Sequence, residues 1–148
     1  MKDDFGERMK LYENQESGRR LVPLLPIIAR LDGKAFHSFT EYMKRPFDGK
    51  LSELMMLTTE FLVKETNASI GYTQSDEISL TWHSQSYDQQ LFFDGRIQKM
   101  VSVLASMTTG FFNRNFTNFF NERELAFFDC RVFNVPNIEE GANVVPTL

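Results

Sequence analysis

The chain has 148 residues, 42% hydrophobic and 24% charged, a balance that supports one sizeable core and excludes an intrinsically disordered protein. A net charge of -4 and a pI near 5.2 exclude a global basic field, so any RNA contact falls to local clusters such as Arg19-Arg20, Lys44-Arg45 or Arg96 with Lys99. One cysteine, Cys130, and two histidines, His37 and His83, exclude an internal disulfide and a Cys/His zinc site. Residues 3–13 predict a short helix with Phe5, Met9 and Tyr12 on one face. After the polar NQESGRR comes the apolar LVPLLPIIARL, where Pro23 and Pro26 rule out a central helix and point to a strand ending at Leu31. Asp48 to Thr66 carries Leu51, Leu54, Met55, Thr58, Phe61 and Leu62 at helical spacing. Ser69 to Thr73 and Ile78 to His83 are β-rich and joined by Gln-Ser-Asp-Glu, a hairpin signal. A long helix over Arg96 to Asn121 and a strand over Leu125 to Val135 complete the chain, and several of its 15 Phe cluster around that helix.

Strand, helix, strand, strand, helix, strand is the ferredoxin-like βαββαβ order. The expected fold is α+β, one antiparallel sheet with two helices on one face, plus the N-terminal helix. The N-terminal MKDDFGERMK is too charged for a signal peptide and no apolar run can span a bilayer, so the expected location is cytoplasmic, with no membrane partner.

In that topology Asp32, where the first strand ends, meets Asp76 and Glu77 at the hairpin tip. Like charges held close repel, and a cation neutralises them. Hard oxygen ligands select Mg²⁺, and two such ions about 4 Å apart can activate an attacking oxygen and stabilise a leaving pyrophosphate. Gly33 to His37 follows the strand directly and could cradle a triphosphate through its backbone N–H groups. Taken singly, each feature has a plain alternative. Asp32-Gly33 is a common turn dipeptide, Asp76-Glu77 a polar hairpin tip, His37 a packed or solvated histidine, and Tyr72 and Trp82 sheet packing.

An ordered series of motifs goes further: DDFGERMKLYE from Asp3, IARLDGKAFHSF from Ile28, Arg45-Pro46-Phe47-Asp48, GYTQSDEISL from Gly71, QKMVSVLAS from Gln98 and FDCRVFNVP from Phe128. It resembles the tRNA-His guanylyltransferase family, with its bacterial and archaeal 3′–5′ polymerase-like members, up to about residue 138. The resemblance implies a polymerase-like palm that adds nucleotides to a tRNA 5′ end, using GTP and ATP as substrates. It implies that Asp32, Asp76 and the Gly33 carbonyl bind two Mg²⁺, with Glu77 an acidic residue needed beside them. Lys34, Ala35, Phe36 and His37 would cradle triphosphate, Ser75 would adjoin the nucleotide, and Arg45 (or Lys44), Arg96 and Lys99 would face phosphate. The details of Gly71 to Leu80 and of Phe39 to Asp48 resemble the bacterial members that repair 5′-truncated tRNA.

Family members continue into a segment that helps grip tRNA and build the oligomer, whereas here IEEGANVVPTL follows. The expected organisation is a catalytic palm over residues 1–138 and a short tail over 139–148. The expected activity is Mg²⁺-dependent nucleotidyl transfer by a homo-oligomer. The alternative is a non-catalytic nucleotide-binding or oligomerising palm.

Overall fold

The computed structural model describes residues 4–34, 49–83, 92–119, 125–137 and 139–140. Its elements are α1 (Asp4–Ser17), β1 (Ile27–Lys34), α2 (Gly49–Thr66), β2 (Ile70–Gln74), β3 (Glu77–Trp82), a 3-10 turn (Phe92–Gly95), α3 (Ile97–Phe116) and β4 (Phe127–Asn134). The strands form one sheet in the order β2-β3-β1-β4, every neighbouring pair antiparallel. This is the expected βαββαβ arrangement, with β1 paired on both sides.

Alternation along the strands decides the two faces of the sheet. Ile27, Ala29 and Leu31 of β1, Ile78, Leu80 and Trp82 of β3, and Phe128 of β4 point one way. They pack with Leu54, Met55 and Leu62 of α2 and Met100, Leu104, Phe112 and Phe116 of α3 in a single core. Phenylalanines knit the helices to each other and to β4. Phe61 stacks on Phe111 with centroids 4.4 Å apart, and Phe112 meets the edge of Phe128 at 5.2 Å. The buried threonines of the two helices, Thr58, Thr59, Thr66 and Thr108, are satisfied locally. Each hydroxyl donates to the carbonyl four residues back, at 2.7–2.8 Å.

The loop before β1 is fixed by β4. Asn134 accepts from the Val22 N–H at 2.8 Å and donates to the Val22 carbonyl at 3.1 Å, while the Val135 N–H donates to the Pro26 carbonyl at 3.1 Å. Near the other helix, Leu21 N–H donates to the Gly95 carbonyl at 2.7 Å and Ile97 N–H to the Arg19 carbonyl at 3.0 Å. The chain enters α3 through a left-handed corner, with φ of 49° at Phe93, 57° at Asp94 and 71° at Gly95.

Three boundaries differ from the sequence expectation. β1 does not stop at Leu31 but runs to Lys34, because β4 pairs alongside it as far as Lys34 opposite Phe127. Asp32-Gly33 therefore lies inside a strand and is not a turn. α1 extends to Ser17 and buries none of its residues, so Phe5, Met9 and Tyr12 stay exposed. α3 begins at Ile97, with Arg96 as its extended N-cap residue, and ends at Phe116. The expected stretch beyond Phe119 to Asn121 falls outside the described residues.

Candidate functional site

The sheet face away from the helices is laid out in rows. At one register level Gln74, Glu77, Asp32 and Asp129 stand side by side across β2, β3, β1 and β4. One pleat further along β1, Tyr72, Ser79, Arg30 and Arg131 form the next row. Beyond it lie Ile70, Thr81, Ile28 and Phe133. Rows on one face are two residues apart, about 7 Å at strand rise. A carboxylate row thus borders an arginine row, and the arginine row borders an apolar one.

Asp76 joins the acidic row from the β2–β3 turn. Ser75, in the left-handed region at φ 56°, makes the corner, and Gln74 and Glu77 pair on either side of it. The turn is tied down onto β1, since the Gly33 N–H donates to the Asp76 carbonyl at 3.1 Å. That bond sets Asp76 beside the Asp32-Gly33 backbone on paired strands. The hydroxyl of Thr73 donates to the Glu77 carbonyl at 2.9 Å and stiffens the same turn.

The charges are unevenly compensated. Burial first, and then the charges of Asp76, Glu77 and Asp129, raise the pKa of Asp32, with Arg131 pulling it back. Asp76 is raised as well, by burial above all; Glu77 adds to this, while its own backbone N–H and the Ser75 hydroxyl oppose it. Glu77 has a partner: the Arg30 guanidinium donates to its Oε2 at 3.2 Å, with both side chains about one third exposed at 33% and 32%. In the next row the Ser79 hydroxyl is buried and has no hydrogen-bond partner among the described residues.

These donors fit a hard divalent cation. Asp32 and Asp76 are oxygen ligands whose pKa values are raised by burial first and by neighbouring carboxylates second, and magnesium takes such a set together with carbonyls and water. The expectation that three carboxylates converge is corrected in one respect. Among the described residues no three Asp, Glu, His or Cys side chains are gathered closely enough to hold an ion by themselves. Glu77 shares the register level but is drawn toward Arg30, which leaves Asp32 and Asp76, with the Gly33 backbone next to them.

Of the other residues singled out from the sequence, Lys34 ends β1 on the open face, exposed, and Ser75 forms the turn. Arg96 and Lys99 are not brought to the carboxylates within one chain. Phe92 stacks on Trp82 with centroids 6.1 Å apart, and Trp82 pairs with Ile27, five residues along β1 from Asp32, which is about 16 Å of strand. Lys99 lies 5.7 Å over the Phe93 ring at that far end, and Arg96 bridges to Arg20. α3 starts there because it follows β3, which runs antiparallel to β1. Ala35, Phe36, His37, Lys44 and Arg45 lie outside the described residues.

Asp129, Arg131 and Arg30 were not singled out from the sequence, yet they border Asp32 directly. The signal was present. Arg30 stands two residues before Asp32 and Arg131 two after Asp129, so each shares its partner's face wherever the chain is strand. Trp82 behaves as sheet packing, buried with its indole N–H donating to the Thr66 carbonyl at 3.0 Å.

Sequence and structure comparisons agree with one another. The family profile described as tRNAHis guanylyltransferase matches residues 6–136. The tRNA(His) guanylyltransferase of Schizosaccharomyces pombe is 33% identical over 138 residues, covering 90% of this chain and 50% of that protein. A bacterial tRNA(His) guanylyltransferase-like protein, solved in complex with GTP, superposes with a TM-score of 0.87 at 36% identity over 96% of this chain and 63% of that one. The bacterial structure in complex with ATP gives 0.89 at the same identity. The chain spans about half the length of the curated relatives it matches, as the S. pombe protein and the 57% coverage of the Candida glabrata guanylyltransferase illustrate.

Proposed function

The chain belongs to the tRNAHis guanylyltransferase family, and from that premise we propose that it is a magnesium-dependent nucleotidyltransferase adding nucleotides, GTP first among them, to the 5′ end of tRNA in the 3′–5′ direction. The observation that carries this reading is the pairing of Asp32 with Asp76, two carboxylates whose pKa values are raised at the end of a sheet built to hold them together. Asp32, Asp76 and the Gly33 carbonyl would hold two Mg²⁺, which supply charge neutralisation at the triphosphate and at the attacking 3′-oxygen. The chain's own residues prepare that setting. The Gly33–Asp76 backbone bond fixes the spacing of the two carboxylates, and Arg30 and Arg131, one row away, face the region where nucleotide phosphates would lie. Lys34 extends from the end of β1 toward the same edge. GTP and ATP as ligands are supported by the complexes of the bacterial relatives.

We assign the reaction to a palm unit of residues 1–138, with 139–148 as a tail, acting as a cytoplasmic homo-oligomer on 5′-truncated tRNA. That setting rests on the family. Among the described residues no helix is long and apolar enough to cross a membrane. The test is extension of a 5′-truncated, 5′-triphosphorylated tRNA with GTP and Mg²⁺, comparing wild type with Asp32→Ala. Product from wild type alone supports the reading. GTP binding without product would assign this chain the role of a nucleotide-binding palm, and product from Asp32→Ala would refute the site.

A further inference from the structure

We infer that Glu77 is not a metal ligand but a positioning residue for Arg30, and that the Glu77–Arg30 pair sets where nucleotide phosphate docks. The inference rests on the metal and nucleotide site proposed above and deepens it. Arg30 stands directly opposite Arg131 on the neighbouring strand. Two guanidinium groups in directly opposed positions repel, and each would swing away from the row if left alone. On the other side of β1 its direct partner is Ser79, whose hydroxyl is buried and makes no hydrogen bond among the described residues, Arg30 included, so it gives Arg30 no anchor. The anchor comes diagonally, from Glu77 Oε2 at 3.2 Å.

That bond has two consequences. It holds a cation on the sheet face away from the helices, with its side chain still 33% exposed, so the remaining N–H donors of the fork can meet an incoming anion. It also commits the Glu77 carboxylate, which explains why, among the described residues, a residue at the same register level as Asp32 does not complete a three-carboxylate cage. Among the described residues Asp32 and Asp76 have no such ion pair, and of the basic groups only the more distant charge of Arg131 acts on Asp32. A division of labour follows: the two aspartates meet the cation, and the glutamate orients the arginine.

The test separates metal binding from phosphate binding. Mn²⁺ binding, followed by loss of the free-ion electron paramagnetic resonance signal, is measured for wild type, Asp76→Asn and Glu77→Gln. GTP binding is measured by calorimetry for Glu77→Gln, Arg30→Ala and the double variant. We expect Glu77→Gln to bind Mn²⁺ as wild type does while Asp76→Asn does not. We expect Glu77→Gln and Arg30→Ala each to weaken GTP binding about tenfold, and the double variant to be no weaker than Arg30→Ala alone. Glu77→Gln losing Mn²⁺ as Asp76→Asn does would overturn the inference. So would a double variant whose loss is the product of the two single losses. Should Asp76→Asn keep Mn²⁺, the metal reading itself fails, and the Arg30–Glu77 cycle still decides the pairing. Glu77→Asp, which keeps the charge but shortens the reach, guards against misfolding. It should behave as Glu77→Gln toward GTP, and wild-type GTP binding by it would also overturn the inference.

Discussion

Asp32→Asn should stabilise the metal-free protein at neutral pH and destabilise it, relative to wild type, once Mg²⁺ and GTP are present. The substitution keeps the shape of the side chain and removes one charge. Asp32 directly opposes Glu77 on one side and Asp129 on the other. A like-charged pair in directly opposed positions is unfavourable by about 0.2–1 kcal/mol, so relieving two amounts to about 0.4–2 kcal/mol, less whatever the attraction of Arg131 contributes. For a domain near this size each kcal/mol moves Tm by about 2–4 °C, which predicts a rise of about 1–8 °C in EDTA. The pH dependence has a definite sign. The folded pKa of Asp32 lies above its ordinary value of 3.8, so its stabilising contribution is full below that value and is lost as pH rises through the raised folded pKa. The gap between variant and wild type should therefore open as pH rises from acid to neutral. With ligand at about a hundred times its Kd, wild type should gain about 2.7 kcal/mol that a variant unable to bind would not, and the order of the two Tm values should invert. Calorimetric or fluorescence melts with and without Mg²⁺ and GTP read all of this. A variant less stable than wild type in EDTA, or a gap independent of pH, would refute the view that these carboxylates are held together against their own repulsion.

Gly71→Ala should destabilise the fold without touching the site: a Cβ there would fall 2.6 Å from Val63 Cγ2 and 2.8 Å from Thr59 Cγ2, where β2 meets α2. An overpacked contact of this kind costs about 1–3 kcal/mol, seen as a lower urea midpoint at unchanged m. The Cys130 thiol, pushed up to about 12 by burial and then by the charge of Asp129, should resist alkylation in the folded protein at mildly alkaline pH and react on unfolding. A folded-state alkylation rate equal to that of a free thiol would contradict the packing of β4 against the helices.

The sequence reveals the encounter of Asp32 with Asp76 because it depends only on element order. In a βαββαβ chain the end of the first strand and the turn of the central hairpin must lie at the same end of the sheet. The rows could not be read in the same way. Placing Arg131 opposite Arg30, or Asp129 opposite Asp32, requires the register between the first and last strands, and a shift of one residue would send every one of these side chains to the other face. The apolar run that signals β1 ends at Leu31, whereas pairing with β4 carries it to Lys34. The part of the strand that bears the carboxylate is therefore polar, and hydrophobic periodicity is blind to it.

The same reasoning explains why Arg96 and Lys99 lie at the Trp82 end of the sheet within one chain. A helix that covers a sheet spends its apolar face on the core and presents its charges to solvent, at whichever end the connection dictates. For α3 that is the Trp82 end, held by the Phe92 stack. Charges on the open face of the sheet obey a different constraint. Each has cross-strand neighbours at near-contact distance, so a carboxylate row can persist only beside cations or under a bound ion. Arg30 and Arg131 supply the first, and Asp32 and Asp76 remain for the second. The helix-covered face can be repacked with little consequence for chemistry. One register slip of β1 would separate both pairs at once.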